Sequence, residues 1–242
     1  MTPPLFLVPE LRPGRLIVTG EEGHHASAVR RVRPGERVDL TDGAGTLGRA
    51  EVVSTERSTV TVEVLDVALE PRSGPLLTVV QALLKGEAGE RAVGLLTQVG
   101  VDRILPWTAA RSVARWDAER SQRGMRRWRA AAREAAKQAH RAWFPDVADP
   151  ASTEQVAGSL AEADWAGCLH PPAGAPLSGC HVPEAAAETV LIVGPEGGLT
   201  EEEVDAFAAV GAPAYRLGTE VLRGETAGMA AAAVLNVRTG RW

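Results

Sequence analysis

Apolar and polar positions follow two different rhythms along this chain, and the change between them falls near residue 70. Before it, short apolar runs predict strands over 5–8, 15–18, 36–40, 48–53 and 58–67, the last with clear alternation. Turn residues separate the runs: RPG at 12–14 and again at 33–35, and TDGAGT at 41–46, the composition of a hairpin loop. One short helix is predicted over 21–32. The turns lie too close for βαβ crossovers, so residues 1–70 are expected to form a small β-barrel-like domain.

LEPRSGP at 69–75 has two prolines, a glycine and no periodicity, which suits a linker. Beyond it, continuous apolar runs at 76–84, 103–107, 165–169, 190–193 and 214–217 alternate with helical patterns at 87–99, 117–141, 200–210 and 224–238. Unbroken apolar strands between helices predict an α/β domain over 71–242 with a parallel sheet covered on both faces.

At 242 residues, 45% apolar and 24% charged, the composition is that of a water-soluble globular protein. No apolar run reaches the roughly 18 residues of a membrane span, and MTPPLFLVPE lacks a signal peptide's pattern, so no membrane association and a cytoplasmic location are expected. Two cysteines, Cys168 and Cys180, without a clustered set of histidines, predict reduced structural thiols and no metal site.

The net charge of −5 changes the picture only when it is divided by segment. Residues 111–141 hold ten Arg or Lys against three acids, a surplus of seven, so the remainder carries −12. On the helix predicted there, Arg120, Arg123, Arg126, Arg127, Arg133, Lys137 and Arg141 fall within about 140° of arc, and Met125, Trp128, Ala132, Ala135 and Ala139 lie opposite. Solvated faces usually mix signs to form i,i+4 pairs, so this one favours contact with nucleic-acid phosphates. Trp143 and Phe144, just after it, are candidates to stack on unpaired bases, or simply core residues.

VGPEGGLTEEEV at 193–204 reads as strand, glycine turn and helix start, with Thr200 and Glu203 as a capping box. Neither GxGxxG nor GxxxxGK[ST] is present, and Glu196 in the turn would repel a phosphate. A cationic or neutral ligand fits better, and the sulfonium of S-adenosylmethionine is one. The second stretch, YRLGTEVLRGETAG at 215–228, leads through Arg223 and Glu225 into a helix that has no charge from 226 to 237, expected to be buried nearly all round. Charged groups at its mouth are costly unless paired or employed, whether as an Arg223–Glu225 ion pair or in chemistry.

The ordered pair LIVGPEGGLTxxE at 191–203 and LGxxVLRxETA at 217–227 resembles the RsmE family of 16S rRNA uridine N3-methyltransferases, of the SPOUT class. Fainter likeness includes His24 and His25 followed by Arg30, KGE at 85–87, RSV at 111–113, QAHR at 138–141 and LHP at 169–171. The resemblance implies a PUA-like RNA-binding barrel followed by an α/β domain with a deep trefoil knot, and a homodimer formed through the knot region. It implies S-adenosylmethionine held by Leu169, His170, Gly194, Glu196, Gly197, Gly198, Leu217, Gly218 and Leu222. Arg30, Arg123, Arg126, Arg127, Arg133, Lys137 and Arg141 would contact 16S rRNA in the small ribosomal subunit. Departures from the usual pattern at Leu5, Leu95, Gln98 and Ala110 are expected to lie away from the cofactor motifs.

Uracil N3 carries a proton on its Watson–Crick edge, so the target must be unpaired or extruded. Arg223 is expected to stabilise charge developing on the flanking carbonyls, and Glu225, or less favourably Glu196, to orient Arg223 or accept the proton. Methylation of a ribose 2′-hydroxyl, or of another RNA, and a non-catalytic RNA-binding role remain open alternatives at this level.

Overall fold

The computed structural model describes residues 2–242. The chain divides into two compact units, one of residues up to Arg72 with Ala136–Phe144, the other of Ser73–Ala135 with Pro145–Trp242.

In the first unit, β1 (Leu5–Leu7), β2 (Gly14–Val18), β3 (Arg37–Thr41), β4 (Thr46–Glu56) and β5 (Thr59–Leu69) form one sheet in the order β1-β3-β4-β5-β2. Only the β1–β3 pairing is parallel. Period-two alternation points Ala50, Val52, Val60, Val62 and Val64 inward, where they pack with Phe6, Val18 and Leu40. Two irregularities interrupt the β4–β5 ladder, one leaving Leu65 of β5 unpaired opposite Arg49/Ala50 and one leaving Val53 of β4 unpaired between Val52 and Ser54, so the shifts offset and the two strands stay in step. The single helix expected over 21–32 is a short α1 (Gly20–His24) that widens into a π-helical turn, His25–Val29, and ends at Arg31 with φ +53.

Residues 136–144 complete this unit. Lys137, buried, donates to Glu22 Oε1 at 2.8 Å. Trp143 lies against Gly45, where any Cβ would come within 2.3 Å of the indole, and its Nε1 donates to the Glu70 carbonyl at 2.8 Å. Gly45, at φ +105, thus meets two demands that only glycine satisfies.

The second unit contains β6 (Leu76–Ala82), β7 (Arg103–Trp107), β8 (Asp146–Val147), β9 (Trp165–Leu169), β10 (Glu188–Val193) and β11 (Ala214–Tyr215), ordered β11-β9-β10-β6-β7-β8 with every pairing parallel. One face carries α2 (Ala88–Gln98), α3 (Ala118–Gln138) and α6 (Gly224–Arg238) over a core that includes Leu77, Val79, Leu96, Trp128, Leu191 and Leu235. The other face carries α4 (Thr153–Leu160) and α5 (Glu201–Ala209) over Val80, Trp107, Ile192 and Phe207, with Trp107 edge-on to Phe207 at 5.4 Å.

β8 and α4 are absent from the apolar pattern, although Ser152 and Gln155 form a reciprocal capping box that announces α4. α3 stops at Gln138, short of the expected 141, and His140 turns the chain away at φ +51. α6 is not buried all round within one chain. Gly228, Ala231, Ala232 and Leu235 are buried, whereas Met229, Ala230, Ala233 and Val234 are half-buried and Val237 is 64% exposed. No helix of the described residues is long and apolar enough to cross a membrane.

Candidate active site

Because the sheet is parallel, the carboxyl ends of β9, β10, β11 and β6 share one edge, and the loops leaving them enclose a cavity of about 870 Å³. Leu169 and His170 line it after β9, Gly194, Glu196, Gly197 and Gly198 after β10, and Leu217, Gly218 and Leu222 after β11. Arg223 and Glu225, at the start of α6, line it too.

The turn after β10 is tightly held. Gly198 takes φ +71, and its N–H donates to the Pro195 carbonyl at 2.9 Å. A Cβ on Gly194 would come within 2.9 Å of Leu199 Cδ2, so a larger residue there would have to push that buried leucine aside. Thr200 Oγ1 accepts from the Glu203 amide at 3.2 Å while Glu203 Oε2 accepts from the Thr200 amide at 3.0 Å. The other oxygen of Glu203, a buried residue, accepts from the Ala110 amide at 2.7 Å. Arg111 Nη1 donates to the carbonyls of Gly197 and Leu199, at 3.3 and 3.0 Å. Ala110 therefore does not lie away from the glycine motif, because the loop after β7 is bonded directly to that turn.

Glu196 spans the site's entrance: its Oε1 accepts from the Lys85 amide, in the loop after β6, at 3.0 Å. The carboxylate braces two loops while its side chain lines the cavity. Arg223 and Glu225 are not paired as one reading of their spacing suggested. Glu225 Oε2 instead accepts from Arg91 Nε and Nη2, at 3.1 and 2.9 Å, and Arg91 also lines the cavity. The Arg223 side chain is left exposed, and its carbonyl receives the amides of Thr226 and Ala227 at 2.9 Å. Arg91 and Arg111 were not among the expected site residues. Only the RSV likeness at 111–113 pointed toward one of them.

His170 closes the β9 end, its amide donating to the Tyr215 carbonyl at 2.8 Å, while its buried Nδ1 has no protein partner in the cavity wall. Cys168 lies beneath, fully buried, its thiol pushed up to about 12 by desolvation. Burial also raises Cys180, partly offset by Arg238.

Of the cationic set, Arg123, Arg126, Arg127 and Arg133 are exposed on α3, opposite buried Met125, Trp128, Ala132 and Ala135. Arg30 is exposed in the first unit, and Arg141 is half-buried beyond the end of α3. Lys137 is a correction. Its ammonium is buried against Glu22, because the last turn of α3 packs into the first unit rather than facing solvent. Trp143 is likewise engaged, with the Arg72 guanidinium 3.9 Å from its ring centroid. His25 packs edge-on to Phe6 at 6.2 Å, while His24 is exposed.

The family model described as an RNA methyltransferase domain matches residues 72–236, and that of an RNA methyltransferase PUA domain matches 18–65. A protein from Mycobacterium bovis named ribosomal RNA small subunit methyltransferase E is 42% identical over 230 residues, covering 93% of this chain and 87% of that one. A methyltransferase from Legionella pneumophila, solved in complex with the cofactor SAM, aligns at a TM-score of 0.89 with 28% identity and 98% coverage of both chains. The ribosomal RNA small subunit methyltransferase E from Neisseria gonorrhoeae, bound to S-adenosyl methionine, aligns at 0.86 with 26% identity and again 98% coverage of both. With the expected motifs gathered at one cavity and both family models matched in order, the chain belongs to the ribosomal RNA small subunit methyltransferase E family of RNA methyltransferases.

Proposed function

We propose that this protein transfers a methyl group from S-adenosylmethionine to N3 of a uridine in 16S rRNA of the small ribosomal subunit. The observation that carries the reading is the convergence of three loops, distant in sequence, on one cavity that combines apolar walls with Arg223 at its mouth.

The cavity suits the cofactor on its own terms. Leu169, Leu217 and Leu222 supply apolar wall for an adenosine, backbone amides and carbonyls of the 194–199 and 215–222 loops can read its edges, and Glu196 tolerates a cation where it would repel phosphate. The unpartnered His170 Nδ1 adds a polar atom to that wall. Bound there, S-adenosylmethionine supplies an electrophilic methyl group on a sulfonium.

The protein's own residues then orient uracil and manage its proton. Arg223, exposed beside the cavity, stabilises the charge that develops on the flanking carbonyls as N3 deprotonates. Glu225 is fixed by Arg91 through one carboxylate oxygen, which leaves Oε1 to accept the proton and relieves Glu225 of orienting Arg223. Positioning supplies much of the remaining acceleration.

In the same reading residues 1–70 act as a PUA-like RNA-binding domain, and residues 71–242 form the knotted catalytic domain. Arg30, Arg126 and Arg133 contact RNA from exposed positions. The apolar stripe of Met229, Ala233, Val234 and Val237 on α6 is covered by a second copy of the chain, giving a homodimer. A cytoplasmic location follows from a substrate inside the ribosomal subunit.

The test is to incubate the protein and labelled S-adenosylmethionine with unmethylated small subunits and identify the modified nucleoside by mass spectrometry. N3-methyluridine is expected. A 2′-O-methylated nucleoside, or no incorporation, overturns the reading.

A further inference from the structure

Leu84 lines both the cofactor cavity and a second groove, of about 350 Å³, between the loop after β6 and the N-terminal half of α3. Arg115, Arg120, Arg123 and Arg127 line this groove, and Glu90 is the acid among its walls. Positions 120, 123 and 127 share one helical face, so their guanidinium groups converge rather than scatter. The floor is preformed: Trp116 stands edge-on to Trp128 at 5.5 Å, and Gly124 lies so close to Trp116 that a Cβ would sit 2.5 Å from the ring.

Arg115 donates to the Ala110 carbonyl at 3.2 Å, whereas the other three arginines have only loose protein partners. Arg120 meets Asp117 at 3.5 Å, Arg123 meets Glu119 at 3.3 Å and Arg127 meets Glu90 at 3.6 Å, each between well-exposed side chains except Glu90. Such pairs are weak and easily exchanged for a better anion. Planar guanidinium groups suit phosphate oxygens in particular.

Helix α2 links the two sites through adjacent residues, since Glu90 reaches Arg127 in the groove and Arg91 holds Glu225 in the cavity. An extended strand whose base enters the cavity can therefore carry its backbone past Leu84 into the groove. Resting on the proposed RNA methylation, we infer that this groove is a phosphate subsite for the RNA strand flanking the target nucleotide, with Glu90 the group an incoming phosphate displaces from Arg127.

The test measures binding of full-length protein to unmodified 16S rRNA transcribed in vitro, across a series of KCl concentrations. A variant carrying both Arg120→Ala and Arg123→Ala should lower the slope of log affinity against log salt by about 1.4, roughly 0.7 per lost single-strand phosphate contact, with unchanged S-adenosylmethionine affinity. Glu90→Gln should tighten binding at low salt beyond the control Glu162→Gln, which changes net charge equally at an exposed site away from the groove. An unchanged slope in the double variant, or no tightening in Glu90→Gln relative to its control, overturns the inference. Methyl transfer is scored separately. A wild-type protein that binds the RNA but yields no N3-methyluridine overturns the proposed activity, and the groove is still judged by its binding slope.

Discussion

Arg91 and Glu225, both lining the cavity, join the first turns of α2 and α6, with two guanidinium nitrogens, at 3.1 and 2.9 Å, on the same carboxylate oxygen. Nothing in the local sequence links them, since they lie 134 positions apart. The pair relates the start of the apolar helix to a residue the motifs do not contain, and it assigns Glu225 a fixed orientation.

If that orientation serves catalysis, Arg91→Ala lowers kcat for methyl transfer about tenfold, the loss of a charge-assisted hydrogen bond of about 1.5 kcal/mol. Arg91→Lys should restore part of it, because a point charge keeps the attraction and loses the second donor. Thermal unfolding should hardly change, as the Arg91 side chain is 56% exposed. An unaltered kcat in the alanine variant would reduce the pair to an ordinary surface contact.

Glu196 separates two effects that its position combines. Glu196→Gln keeps an oxygen for the Lys85 amide and removes the negative charge, whereas Glu196→Ala removes both. The brace predicts that calorimetry finds S-adenosylmethionine affinity close to wild type for glutamine and about fivefold weaker for alanine, one lost hydrogen bond being worth about 1 kcal/mol. Equal weakening in both would give the charge, not the brace, the larger part.

Much of this site was legible because its chemistry is local. The Thr200–Glu203 capping box, the glycines at 194–198 and the charges at 223 and 225 all declare themselves within a few residues. What escaped is what only the sheet order creates. Parallel pairing of β6 with β10 brings the Lys85 amide to Glu196, and the packing of α2 beside α6 brings Arg91 to Glu225. Lys137 misled for the same reason: helical periodicity assigns it to the cationic face, but periodicity carries no information on where the helix leaves one unit and enters another. α4, only eight residues long, was missed despite its capping box.

Glu203 is the structural counterpart of these charged groups. It is 4% exposed and satisfies both the Thr200 and Ala110 amides, so Glu203→Ala leaves two inward-facing donors without acceptors. The expected loss is about 3 kcal/mol of unfolding free energy, read from urea denaturation. Ser at the same position, too short to span both amides, should not rescue it.

The two thiols should be chemically silent. Desolvation pushes Cys168 up to about 12, so near pH 8 it offers almost no thiolate, and Cys180, raised as well, is buried away from reagent. Iodoacetamide followed by intact-mass measurement should find no label on the native protein and two after denaturation. Rapid labelling of native Cys168 would contradict its burial.

The exposed side of α6 yields the last prediction. Its inward face is filled by Gly228, Ala231, Ala232 and Leu235, yet Val237 stands 64% exposed and Met229, Ala233 and Val234 remain half-covered in line with it. An apolar stripe one turn apart along a helix is what a symmetric helix contact buries, and a two-fold axis would cover the stripe of each copy with that of the other. Light scattering should therefore report twice the chain's 25.5 kDa. Val234→Arg places a charge in the middle of the stripe, where burial would leave it unpaired, and should shift the mass toward the monomer with circular dichroism preserved. Because the cavity opens beside the first turn of the same helix, at Gly224, Glu225 and Ala227, the monomeric variant should also bind S-adenosylmethionine more weakly than wild type. A wild-type protein that is monomeric at micromolar concentration would leave the stripe without that partner and remove the coupling between assembly and cofactor binding.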